Sequence, residues 1–219
     1  MTVQTVLIAI SQRVEHVAGR AEVRDCLDRS WSLFMDRCGC ALFPVPSHTA
    51  DVGAALDAAG VSGVILSGGN SLSCTGAPDA DMVRDRLEAG LIGYAQARGL
   101  PVAGVCRGMQ MLCRHLSGVV PVPVTGHAGT RHALLCSPQA LRHGIHRTEV
   151  ASYHDYGIPS AALAGHFHVL AQSQDGMAEA VLSLCGGMLG IMWHPERGQP
   201  FDEGDVELFS NLFNAGGVR

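Results

Sequence analysis

Three short apolar runs constrain this chain more than any other feature. Residues 61–66, 100–105 and 189–192 are nearly unbroken in aliphatic side chains. Strands with one face in water alternate apolar and polar residues, so runs like these suit strands covered on both faces. Between and around them lie segments with helical spacing. Residues 52–59 end at Gly60, and a helix capped by Asp79 or Asp81 turns Val83, Leu87, Leu91, Tyr94 and Ala95 inward before Gly99. Met109, Leu112, Cys113 and Leu116 mark another helix, and residues 202–213 a closing one with Val206, Phe209, Leu212 and Phe213 inward. Strand, helix, strand in this order predicts an α/β fold, a flavodoxin-like open, mainly parallel sheet with helices on both faces.

The remaining elements are read the same way. Residues 3–10 read as the first and central strand, closed by Ser11-Gln12-Arg13. Val23, Leu27, Trp31 and Phe34 predict a helix over 21–37 with Trp31 in its buried stripe. Residues 41–45 form a strand stopped by Pro46, and 119–139 a stretch of short strands and turns. Strands over 167–172 and 177–184 flank the hairpin-type turn Asp175-Gly176. With 219 residues, 47% of them apolar, the chain has enough core for one domain spanning 1–219.

Each of the three runs ends in residues that can carry chemistry. The second delivers Gly104-Val105-Cys106-Arg107-Gly108-Met109-Gln110, a cysteine between glycines where a strand turns into a helix. Such a turn can hold a side chain in a strained, accessible position at the helix N-terminus, which favours the thiolate. The third delivers Trp193-His194-Pro195-Glu196, a base with a carboxylate two residues on to orient it. The first ends in Ser67-Gly68-Gly69-Asn70, where glycine lets backbone N–H groups face a developing oxyanion. Arg13, at the end of the first strand, is either a substrate contact or a solvated loop arginine.

Taken together, these stretches resemble the class I glutamine amidotransferase-like superfamily, in its gamma-glutamyl hydrolase (peptidase C26) branch. That family places a nucleophile in G-x-C-x-G-x-Q and a base and orienter in a late H-P-E. The resemblance implies hydrolysis of a gamma-glutamyl amide through a glutamyl-thioester, with Cys106, His194 and Glu196 catalytic and the Gly69 and Arg107 amides as oxyanion hole. It implies a substrate pocket using Gly68, Asn70, Gln110, Ser152, Tyr153, His154 and Arg13. Ser152 to His154 match the family's N-S-x-H-x-Q region in part: Ala151 replaces its asparagine and Tyr156 its later glutamine. Among such hydrolases, those releasing glutamate from gamma-glutamyl-CDP-amidate are the most similar, and Arg13 and Arg107 are the cations available to a phosphorylated leaving group. A glutaminase subunit feeding ammonia to a separate synthetase, and a non-catalytic binding member of the fold, stay open as alternatives.

Composition narrows the partners. A net charge of -5 offers no basic patch, so nucleic acid is not expected as a partner and a small-molecule gamma-glutamyl substrate is. No apolar run approaches the ~20 residues of a membrane span, and no basic leader opens the chain, so a cytoplasmic protein without membrane contact is expected. A homodimer is left open. Of the eight cysteines, Cys38-Gly39-Cys40 is too closely spaced for a structural zinc pair, and the others mostly sit among apolar neighbours. Neither a metal nor a cofactor is expected. His127 and His132 read as solvated loop histidines, and Glu179 as an outward-facing strand residue.

Overall fold

The strand that opens the described chain, β1 (Val6–Ser11), sends Ile8 and Ile10 to one face of a sheet and Ala9 to the other. The computed structural model, which describes residues 6–214, repeats that division in each neighbouring strand. After β1 come β2 (Arg13–His16), β3 (Val23–Cys26), α1 (Ser30–Arg37), β4 (Cys40–Val45), α2 (Val52–Ala59) and β5 (Gly63–Leu66). The chain continues through α3 (Met82–Arg98), β6 (Val102–Val105) and α4 (Arg107–Ser117). Smaller elements follow: β7 (Val122–Pro123), β8 (Ala128–Ala133), β9 (Leu135–Cys136), α5 (Pro138–Arg142), β10 (Glu149–Tyr153) and β11 (Tyr156–Gly157). The fold closes with β12 (Phe167–Gln172), β13 (Ala178–Ser183), β14 (Met188–Ile191) and α6 (Glu203–Asn214).

Eight strands form one sheet in the order β4-β1-β5-β6-β14-β13-β12-β9. The first five run parallel, in the strand order of flavodoxin-like folds, and the rest extend the edge antiparallel. Ile65, Ala103, Val105 and Ile191 pack with Phe34 of α1 and Phe209 and Leu212 of α6 on one face. Val64, Leu66 and Val102 pack with Leu56 of α2, Leu87 and Leu91 of α3 and Leu112 of α4 on the other. Both faces are therefore dry, which is why the strands read as unbroken apolar runs.

The predicted helices at 52–59 and after Asp81 form as expected. Asp51 and Asp81 accept hydrogen bonds from the N–H groups of Ala54 and Arg84, and Gly60 and Gly99 terminate the helices with φ of 68° and 64°. Two expectations need correction. β1 is the second strand from the edge rather than central, and the start of its expected span lies outside the described residues. Only Ser30–Arg37 of the expected helix over 21–37 is helical. Val23–Cys26 pairs instead with Arg13–His16, so Val23 is exposed rather than buried. The Asp28 carboxylate accepts the Ser30 N–H at 2.9 Å, a local turn that competes with helix and delays its start. Trp31 and Phe34 keep their expected buried stripe.

Candidate active site

Register brings the three chemistry-bearing turns to one edge. Leu66 stands opposite Gly104, and Val105 opposite Ile191, so the residues following β5, β6 and β14 emerge side by side at their carboxyl ends. Cys106 follows β6 with φ 54° and ψ −111°, a positive φ at a residue with a side chain. Such a conformation costs about 1–3 kcal/mol and persists only where the surroundings enforce it. Here backbone packing does so. A Cβ on Gly108 would lie 1.9 Å from the Leu66 carbonyl oxygen, and one on Gly104 would lie 2.6 Å from the Gly108 carbonyl oxygen. The glycines around the cysteine are required because the turn presses against its own strand and the next.

His194 reaches the same point from β14. A Cβ built on Gly68 would sit 2.6 Å from His194 Cε1 and 3.4 Å from both its Nε2 and Cys106 Cβ, so this glycine leaves room for ring and sulfur together. On its far side, His194 Nδ1 is 2.7 Å from Glu196 Oε1, with both side chains buried. Burial pushes the Cys106 thiol up, but hydrogen bonding to His194, the charge of His194 and the Arg107 N–H act against it. The thiol is held below its ordinary 9.0. Burial likewise disfavours charge on His194, yet its interactions with Cys106 and Glu196 raise it to about 9. A thiolate beside an imidazolium is the state this geometry favours.

The glycine-rich loop is clamped from beneath by residues the sequence reading overlooked. Arg84 of α3 is fully buried, and its guanidinium donates to the carbonyls of Ser67 at 2.7 Å and Gly68 at 3.1 Å, and to that of Gly69. Glu88, one turn on, meets Arg84 at 3.0 Å, Ser11 Oγ at 2.7 Å and the Arg107 guanidinium. Two oppositely charged residues four apart on a helix would ordinarily be assigned to its wet face. Only the packing of α3 against the loop gives them a buried role.

Several expected pocket residues are engaged elsewhere. The Arg107 guanidinium pairs with Glu88 and Asp85 and is 1% exposed, so it is not available to a leaving group, although its backbone N–H remains at the thiol. Asn70 accepts the Val14 N–H at 2.8 Å and donates to the Val14 carbonyl at 3.1 Å, tying the loop to β2. Gln110 donates to the Tyr156 carbonyl at 2.8 Å. Ser152 and His154 are buried, whereas Tyr153 is half exposed, with its ring centroid 6.0 Å from that of His194 and Arg197 stacked over it at 5.0 Å.

Two openings flank His194. One, of about 60 Å³, is lined by Arg13, Asp28, Gly68, Gly69 and Arg197. The other, of about 290 Å³, is lined by Arg131, Tyr153, Trp193 and Arg197 among others. Further corrections concern the histidines and Glu179. His127 and Glu179 are buried and His132 is mostly so, facing one another rather than solvent. Cys74 and Cys185 are exposed, contrary to an apolar setting. No described helix is long and apolar enough to cross a membrane.

A mainly parallel sheet of this order, carrying these turns at its carboxyl edge, is a glutamine amidotransferase-like fold. A glutamine amidotransferase from Thermotoga maritima superposes with a TM-score of 0.63 at 17% identity, over 97% of this chain and 85% of that one. The peptidase C26 family model matches residues 6–196, and the chain belongs to that family. It is similar to the gamma-glutamyl-CDP-amidate hydrolase of Campylobacter jejuni, 27% identical over 192 residues, which cover 87% of this chain and 90% of that protein. It is also similar to the gamma-glutamyl-gamma-aminobutyrate hydrolase of Escherichia coli O157:H7, 30% identical over 152 residues, 54% of this chain and 55% of the relative. These relatives support a hydrolase of the glutamine-amide class acting on a small molecule.

Proposed function

We propose that this protein hydrolyses a gamma-glutamyl amide bond through a glutamyl-thioester on Cys106, with His194 as base and Glu196 as its orienter. The observation that carries this reading is a cysteine at a strained strand-to-helix turn, beside a buried imidazole that is held 2.7 Å from a carboxylate. The Cys106 thiolate attacks the gamma carbonyl, and the Gly69 and Arg107 amides stabilise the oxyanion. As the first residue of α4, Arg107 has an N–H with no intrahelical acceptor. The C–N bond breaks as His194 gives its proton to the departing nitrogen. Water, deprotonated by His194, then attacks the thioester, and glutamate leaves with the sulfur returned to thiolate.

Arg13 and Asp28 both line the cleft and carry opposite charges, a match for the alpha-carboxylate and alpha-ammonium of a glutamyl group. In the second opening Arg197 stacks over the half-exposed Tyr153 ring, and this cation and ring suit a leaving group that has a phosphate and a flat ring, so gamma-glutamyl-CDP-amidate or a close relative is the favoured substrate. Free thiols at all eight cysteines suit a reducing, cytoplasmic setting. The test is glutamate release from glutamine, gamma-glutamyl amines and gamma-glutamyl phosphoramidate nucleotides. The nucleotide should be turned over fastest, and Cys106→Ala should lose ~10³-fold or more. Equal turnover by that variant would end the covalent route. Turnover of glutamine alone, and only with a synthetase added, would instead make the chain a glutaminase subunit.

A further inference from the structure

Three buried side chains and the mostly buried His132 meet beside the active site, and the reaction just described uses none of them. His127 precedes β8, His132 lies within it, His154 follows β10, and Glu179 is on β13. His127 Nδ1, His132 Nε2, His154 Nε2 and Glu179 Oε1 all lie within 4.8 Å of one another. Among the described residues, nine buried side-chain atoms have no hydrogen-bond partner, and these are four of them. Unpartnered buried polar atoms are costly and rare, so four aimed at one point call for an occupant.

The distances say what kind. Glu179 Oε1 is 3.7 Å from His127 Nδ1, 3.5 Å from His132 Nε2 and 3.7 Å from His154 Nε2. N–H···O hydrogen bonds fall at roughly 2.7–3.2 Å, so these pairs are too long for direct bonding. Ligands about 2.0–2.1 Å from a tetrahedral ion stand roughly 3.3–3.4 Å apart, within a few tenths of an ångström of the three distances to Glu179.

The outward ring nitrogens agree. His154 Nδ1 is 2.9 Å from the Tyr156 carbonyl oxygen, which only accepts, so this nitrogen carries the proton and Nε2 presents a lone pair to the cluster. His132 Nδ1 faces the Ala133 carbonyl at 3.4 Å, and His127 Nε2 is 3.0 Å from Asp175 Oδ2. Lone pairs from neutral imidazoles aimed at a carboxylate repel one another unless a cation sits between them. Protonating all three rings would instead crowd imidazoliums whose centroids lie 4.8 and 4.9 Å apart from His127. At His154 and His127 the outward nitrogen is held by a carbonyl and a carboxylate respectively, the usual second shell of metal-bound histidine.

We propose that His127, His132, His154 and Glu179 bind a divalent transition-metal ion, zinc on the basis of a closed set of three imidazoles and one carboxylate. The ion ties the β8–β10 ribbon to β13 of the main sheet, and with it the strand that ends in Tyr153, over His194.

The test uses the full chain, stripped with a chelator and titrated with Zn²⁺ or, as a spectroscopic probe, Co²⁺. One equivalent should bind, and Co²⁺ should give the intense visible bands of four-coordination. Zinc-edge X-ray absorption should show imidazole scattering with ligands at about 2.0–2.1 Å and no sulfur at about 2.3 Å. His132→Ala should abolish stoichiometric binding, with circular dichroism to check its fold. Asp175→Asn, at a half-exposed position and checked for fold in the same way, should weaken binding by ~10–100-fold. Failure of the wild-type chain to take up an equivalent, sulfur coordination, or unchanged affinity in both variants would overturn the site.

Discussion

Glu88→Ala should be among the most damaging single changes outside the reacting groups. Glu88 has no exposed surface and stands between Arg84, itself fully buried, and Arg107, with Ser11 Oγ donating to it at 2.7 Å. Removing the carboxylate leaves two buried guanidiniums facing each other with only Asp85 to offset them. Breaking a buried pair from one side costs about 3–5 kcal/mol. For a chain of this size each kcal/mol lowers Tm by roughly 2–4 °C, so the fall should be about 6–20 °C.

The pH dependence gives a second reading. Burial would raise the Glu88 carboxyl, but Arg107, Arg84 and Ser11 hold it below its ordinary 4.5. A depressed folded value means that the stabilisation is present above 4.5 and lost as pH falls through the lower folded value. Calorimetry of wild type and variant should therefore show a constant gap near neutrality that closes only in acid. Asp57→Asn is the control, because its pair with Arg98 is solvent-exposed and worth less than about 1 kcal/mol. If Glu88→Ala moved Tm no more than this control does, the buried network would not be holding the loop.

Two further outcomes test the site itself. His194→Ala removes the two strongest influences that lower the Cys106 thiol, so alkylation of the Cys106 peptide, followed by mass spectrometry, should show its inflection move upward. An unshifted inflection would remove His194 as the source of the thiolate. Gly68→Ala places a Cβ 2.6 Å from His194 Cε1, which must move the ring by about an ångström. Turnover should fall ~10²-fold at nearly unchanged Tm, and full activity would show that the ring position is not critical.

The sheet, its covering helices and the three turns at its edge were legible in the sequence because their causes are local. Unbroken apolar runs, caps at Asp51 and Asp81 and glycines around Cys106 act within a few residues, and the runs report burial on both faces before any fold is known. Pairing and burial were not legible where distant segments decide them. Val23–Cys26 carries helical spacing, yet a partner strand ten residues earlier claimed it. Arg84 and Glu88 look like an ordinary surface pair, and only the loop packed over α3 buries them. Asn70 and Gln110 face the cleft in sequence terms but are held by β2 and by the Tyr156 backbone. His127, His132, His154 and Glu179 share no motif spacing, and a ribbon folding against the main sheet is what draws them together. The sequence by itself determined which residues could react. Tertiary structure decided which charges are buried, and therefore which of those residues are free to meet a substrate.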